Sequence, residues 1–344
     1  MSRRTRTLVI GAVVLAAAYS AAWYVMARRV EERVDRLLAA PGMQAASFQG
    51  AALHATSHSL GGFPFRMSLT LEGVSADNFR HAHDLKMQAA QAVFSAWPFY
   101  PWSWRLDLPQ GGSVTTAGVS ASFSRMNADG LLGEDYGPWG GDANISIRDL
   151  AVHSGSEPGP RYTADGLSLV LHLPQTPPTT RADPLFNLSF AADGVAVPGT
   201  PAILGPRIGH VAFEGSFMGP ASGTRMSELV ASWHAVGGNI EVQKFDLAWG
   251  PLALTATGNA SVDDKLQPQG AFNAEITHYD TVLKALVAAG KIKPQQARYI
   301  EMGLSILSQG GGGAGRLRTP VSVQDGAFFI GPASIGKVPV VNWP

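Results

Sequence analysis

The sequence predicts a mainly β protein (α+β). It should hold a large, curved, mostly antiparallel sheet, with an N-terminal transmembrane helix and a C-terminal helical hairpin. Three observations lead there. Apolar residues recur with period two in segment after segment of the body, the signature of half-buried strands. Gly 39 and Pro 23 in 344 residues supply frequent turns. A long apolar run, LVIGAVVLAAAYSAAWYVMA, stands at the N-terminus behind Arg3, Arg4 and Arg6.

The N-terminal run covers residues 7–27. About 20 apolar residues span a bilayer as a helix, and Trp23 and Tyr24 lie near its far end, where amphipathic rings favour the interface. Ser20-Ala21-Ala22 offers small residues at signal-cleavage spacing, but the run continues past them, so an uncleaved anchor is expected. Arginines flank both ends, and charge counting does not set the orientation. A basic-headed segment at the extreme N-terminus favours that end inside and the body outside. Val30, Val34, Leu37 and Leu38 continue a juxtamembrane helix that Pro41-Gly42 ends. Residues 1–40 thus form an anchor and residues 41–344 a β-rich extracytoplasmic body. The proline-rich stretch PQTPPTTRADP, residues 174–184, divides that body into two candidate β halves.

The body opens at Gly61-Gly62. Phe63, Phe65, Met67, Leu69 and Leu71 alternate with Pro64, Arg66, Ser68, Thr70 and Glu72. This predicts a strand with its odd residues inward, Pro64 at its start and Arg66 on the polar face. Strands follow at Leu85–Val93, Val119–Phe123, Ile145–Ile147, Leu167–Leu173 and Phe186–Phe190. Ile240 to Val262 reads as a meander punctuated by Gly250 and Gly258. Near the end, Tyr279, Val282, Leu283, Leu286 and Val287 share a helical face that Gly290 stops, and Ala297, Ile300, Leu304 and Leu307 form a second stripe after Pro294. A short loop between them makes an antiparallel hairpin. Val321 and Ala327–Ile330 return to strand.

Charge and composition exclude several function classes. Twenty-six basic and 26 acidic residues give no basic field for nucleic acid. With Cys 0, thiol catalysis, disulfides and zinc-thiolate sites are absent. The GxGxxG match within Gly310–Gly315 lacks the preceding strand and following helix of a dinucleotide site. His81 and His83, beside Asp84, offer an incomplete ligand set in a loop. No catalytic residue, metal site or cofactor is assigned, and the chain reads as a non-enzyme.

Gly62-Phe63-Pro64-Phe65-Arg66 behind an N-terminal anchor resembles a bacterial family, domain of unknown function 2125. WPFYPWSWRLDLP, with Trp97, Trp102 and Trp104, agrees, as do LQPQGAFNAEI, DTVLKALVAAG and VQDGAFFIGP near the C-terminus. The family has no established activity, so the resemblance implies no site residues. GGNIEVQKFDLAWGPLALTATGNASVD also looks like AsmA-like envelope repeats, which implies a curved groove that handles lipid.

The expected protein is therefore a single-pass inner-membrane protein with its body in the periplasm. It would bind or shield a lipid or other apolar ligand in a groove between sheet and hairpin, with Leu283, Leu286, Val287, Leu304 and Leu307 lining or plugging it. The alternatives are a structural or assembly component of the envelope with protein partners and no ligand, or a histidine-dependent hydrolase.

Overall fold

The structure is a computed structural model. It describes residues 3–38, 52–77, 84–98, 100–116, 118–132, 140–154, 161–198, 204–288, 290, 293–295, 298, 316–331 and 333–343. The fold is mostly β, with antiparallel pairing and few helices. The chain divides into two compact units: residues 1–132 with 152–159, and residues 133–151 with 160–344.

The first unit begins with helix α1 (Arg3–Leu38). Strands β1 (Ala52–His54), β2 (Ser57–Gly61), β3 (Met67–Asp77), β4 (Lys86–Trp97) and β5 (Tyr100–Leu108) follow. After them come β6 (Gly112–Thr116), β7 (Val119–Phe123) and β8 (Arg125–Leu132). β3 pairs with β1, β2 and β4, and β4 pairs in turn with β5 and β6. Leu71, Ala92 and Leu108 form the buried core, with Leu69, Leu106 and Phe123 packed against it.

The alternation expected from Phe63 to Leu71 holds only from Met67 onward. Gly61 pairs with Ser68, so residues 62–66 form the β2–β3 turn rather than a strand. The Arg66 N–H donates to the Gly62 carbonyl at 2.9 Å and closes it. Gly62 has φ +95, and a Cβ there would run into the Arg66 carbonyl. Phe63 and Phe65 therefore do not enter the core: they are 53% and 70% exposed. Period two carries across a turn in sequence, but no ladder fixes which way turn residues face. Arg66 reaches Ser95 of β4, with Nη1 3.4 Å from its Oγ.

Helix α1 runs antiparallel to β2. Trp23 meets Phe63 edge-on, with ring centroids 5.3 Å apart, while Asp35, twelve residues further along the helix, sits 3.2 Å from His58 of β2. The Tyr19 hydroxyl donates to the Pro64 carbonyl. Ala27 and Val34, seven residues apart, are the buried face of the helix.

β9 (Gly141–Ser154) belongs to the second unit as far as Ala151 and pairs with β10 (Arg161–Leu173). A continuous antiparallel meander follows. It contains β11 (Pro184–Ala196), β12 (Arg207–Met218), β13 (Asn239–Trp249), β14 (Leu252–Val262) and β15 (Pro268–Thr277). It closes with β16 (Arg316–Gln324), β17 (Ala327–Ile330) and β18 (Ala333–Lys337). Helix α2 (Met226–Ala235) interrupts it between β12 and β13, and α3 (Tyr279–Ala288) between β15 and β16.

Two boundaries differ from expectation. Residues 174–184 join β10 to β11, which pair directly, so the proline-rich stretch is a hairpin loop inside one unit; the units part near residues 133–160. Asp183 organises that loop. Its carboxylate accepts the Thr179 and Thr180 backbone N–H groups at 2.9 and 2.7 Å, and these bonds hold it below the usual aspartate range. Gly258 is not a break either, because β14 runs straight through it. A Cβ there would strike the Ala271 carbonyl of β15, so close strand approach accounts for this glycine. The second helix expected after Pro294 lies largely outside the described residues.

Candidate apolar ligand site

The second unit builds its cavity from one row of side chains. In the antiparallel registers Phe186 opposes Phe217, Phe217 opposes Ile240, Ile240 opposes Ala260, Ala260 opposes Gly270, and Gly270 opposes Val323. Directly opposed residues share a sheet face, so this row crosses six strands on one side. Its ends are large and its middle is small. Phe186 and Phe217 stack with centroids 4.3 Å apart at 22°, whereas Ala260 leaves a hollow; the space over Gly270 is filled by the Phe272 ring, which lines that hollow.

Helix α2 roofs that hollow. Met226, Leu229, Val230 and Trp233 fall at helical spacing on one face and all line the cavity. Trp233 is its anchor, 8% exposed, with its indole N–H donating to the Met218 carbonyl at 2.7 Å. A Cβ on Gly238 would overlap the Trp233 ring, so this glycine admits the indole. At the other rim Trp343 is held by a bond from its indole N–H to the Leu266 carbonyl, 2.7 Å. The tail is clamped by Gln267, which accepts from the Val341 N–H at 2.8 Å and donates to the Val341 carbonyl at 3.1 Å.

The cavity volume is about 540 Å³. Its lining carries no charged side chain. The polar groups that do line it are engaged elsewhere: Gln269 Nε2 donates to Ser261 Oγ at 3.1 Å and to the Val262 carbonyl at 3.0 Å, and both indole N–H groups have carbonyl partners. The walls therefore offer dispersion contacts and little hydrogen bonding.

The roof has an electrostatic clamp at its start. Arg225 occupies the N-cap position and has no side-chain acceptor. Glu228, in the first turn, supplies one: it accepts the Thr224 N–H at 3.0 Å and pairs with the Arg225 guanidinium at 2.5 Å. The Thr224 backbone bond first, then Arg225, hold the Glu228 carboxyl below the usual glutamate range. Ser232 adds a latch, accepting the Ser222 N–H at 2.8 Å and donating to the Ser222 carbonyl at 2.7 Å.

Of the residues the sequence singled out for a groove, Leu283 is buried and Val287 half-buried on α3. The Leu286 side chain, Leu304 and Leu307 lie outside the described residues. None of the five lines this cavity. Helix α2 lies where the sequence reading named no element, although Leu229, Val230 and Trp233 carry a usable signal. In the first unit, Trp97 and Trp102 are exposed and Trp104 half-buried. His81 and His83 lie outside the described residues. Among the described residues no cluster of ligating side chains could hold a metal. Among them, too, no helix is long and apolar enough to cross a membrane; the side chains of residues 3–14 are outside that set.

The fold and cavity define a class: an antiparallel β protein with a helix-roofed apolar chamber. The chain belongs to a family described as an uncharacterized protein conserved in bacteria (DUF2125), whose family model matches residues 23–339. No curated protein and no solved structure matches the chain, so the AsmA-like likeness of residues 237–263 draws no support from them.

Proposed function

We propose that this protein binds the acyl chain of a lipid, or an equally apolar molecule, in the chamber beneath α2, and that its N-terminal helix attaches it to the inner membrane with the body on the periplasmic side. The supporting observation for binding is the chamber itself: about 540 Å³, uncharged, with its polar lining groups satisfied by the protein. That size lies within the roughly 300–1,000 Å³ of small-molecule sites. An empty apolar wall of this kind forfeits dispersion contacts, and an acyl chain restores them. The reading is of a binding protein rather than an enzyme.

Membrane attachment is supported by the apolar run of residues 7–27, which falls within one continuous helix. Leu15 is 72% exposed. A helix with such a surface is costly in water at about 25 cal/mol per Å² and stable in hydrocarbon.

Native mass spectrometry of the full chain extracted in mild detergent tests the chamber. The expected spectrum carries an added lipid mass that Ala260→Leu removes. A homogeneous lipid-free mass, together with no binding of a fluorescent fatty acid, would overturn the proposal. It would leave the structural-component reading, in which the body serves protein partners in the envelope.

A further inference from the structure

We infer that the aromatic end of the first unit's sheet rests in the headgroup layer of the bilayer, which rests on the membrane attachment proposed above. The two turns that would touch lipid lie together. Met67 opposes Ala96 and Ser68 opposes Ser95, so the β2–β3 turn and the β4–β5 turn emerge at the same end of the sheet. Arg66 bridges to Ser95 there. Phe63 and Phe65 in one turn, and Trp97, Tyr100 and Trp102 on the strand ends that flank the other, are all exposed. None of these five aromatics belongs to the buried core cluster of this unit. Trp and Tyr rings, three of the five here, concentrate at membrane interfaces.

The helix sets the depth. Tyr19 and Trp23 contact this same end, and α1 leads from there toward His58 in its C-terminal direction. Residues 3–18 therefore continue beyond the turns, away from the sheet, as about 24 Å of helix at 1.5 Å per residue. Trp23 lies about one turn, some 5–6 Å, before the end of the apolar run. A helix crossing the roughly 30 Å hydrocarbon layer with residues 7–27 thus carries Phe63 to the interface.

Charge agrees with a lipid surface. Across residues 60–71 and 93–106, which contain both turns and the strand ends next to them, the charged residues are Arg66 and Arg105; Asp129 of β8 opposes Arg105. The two turns themselves carry Arg66 and no acidic group, which favours anionic headgroups. A protein partner with an apolar face is the competing occupant, and a system containing only lipid separates the two.

The chain has no native cysteine, so single labels can be placed cleanly. Full-length Phe65→Cys, Trp102→Cys, Leu15→Cys and Lys86→Cys proteins, each carrying an environment-sensitive fluorophore, are reconstituted in phosphatidylcholine–phosphatidylglycerol vesicles. Lys86 is the control, exposed at the opposite end of β4. The expected result is a blue shift at 65 and 102 with quenching by shallow spin-labelled lipid, deep quenching at 15, and neither effect at 86. Deep quenching at 15 with water-like emission at 65 and 102 overturns this inference alone and points to a protein partner. A blue shift at 65 and 102 without lipid quenching overturns it in favour of contact between copies. A water-like label at 15 overturns it together with the membrane attachment.

Discussion

Trp23 packs edge-on against Phe63, with centroids 5.3 Å apart and ring planes at 79°. This is the favoured geometry for two quadrupoles, positive edge to negative face. It ties the N-terminal helix to the turn that carries the Gly62–Arg66 motif, which explains that motif as a seat for the helix rather than a strand entering the core.

The first prediction is a coupling between those two residues. In a Trp23→Leu, Phe63→Leu double-mutant cycle the interaction energy should be about 0.5–1.5 kcal/mol, as for aromatic pairs generally. Denaturant unfolding of the full chain in detergent measures it. Strictly additive single effects would mean that the helix is not docked on the turn in solution.

The second concerns the hollow at Ala260. Ala260→Leu should place three extra carbons among Phe217, Ile240 and the roof, because Ala260 lies between Ile240 and Gly270 in the row. Fatty-acid binding should fall by an order of magnitude or more, about 1.4 kcal/mol. The stability change should stay below the overpacking penalty of about 1–3 kcal/mol, since the carbons enter open space. Fluorescent fatty-acid titration and thermal unfolding separate the two effects.

The third concerns Gly238. Gly238→Ala drives a methyl group into the Trp233 indole, and the ring must shift from its bond to Met218. The expected loss is about 1–3 kcal/mol, with faster hydrogen exchange across α2. An unchanged melting temperature would show that the roof repacks freely.

The fourth is a pH dependence of the roof. The Glu228 carboxyl is held below its ordinary value by the Thr224 backbone N–H, then by Arg225. A folded pKa below the unfolded one, about 4.3, stabilises the fold above that value, and the contribution is lost as pH falls through the folded value. Exchange protection of residues 224–235 should therefore drop on acidification below about pH 4. Glu228→Gln should show reduced protection at neutral pH and a flatter acid response. An identical acid response in the variant would exclude Glu228 as the clamp.

Much of the fold was legible in the sequence. Alternation marked β10 at Leu167–Leu173, β11 at Phe186–Phe190 and most of β13 and β14, because a strand half-buried in a sheet imposes period two on its own residues. The helical face of Tyr279–Val287 located α3 in the same way, by a local period. Turn residues were less legible. Phe63 and Phe65 keep the alternation of the strand that follows them, and only the pairing of Gly61 with Ser68 shows that they stand outside it.

The sequence by itself determined the apolar N-terminal run, the β character of the body and the family that Gly62–Arg66 marks, since each is written in neighbouring residues. Only the tertiary structure decided the chamber. Phe186, Phe217, Ile240, Ala260, Gly270 and Val323 are scattered over more than a hundred positions, and strand register alone brings them into one row. The roof needed the same information. Residues 226–235 form a short helix whose isolated stability is marginal, and it is held by Trp233 against Met218 and Gly238, contacts that exist only once β12 and β13 are paired.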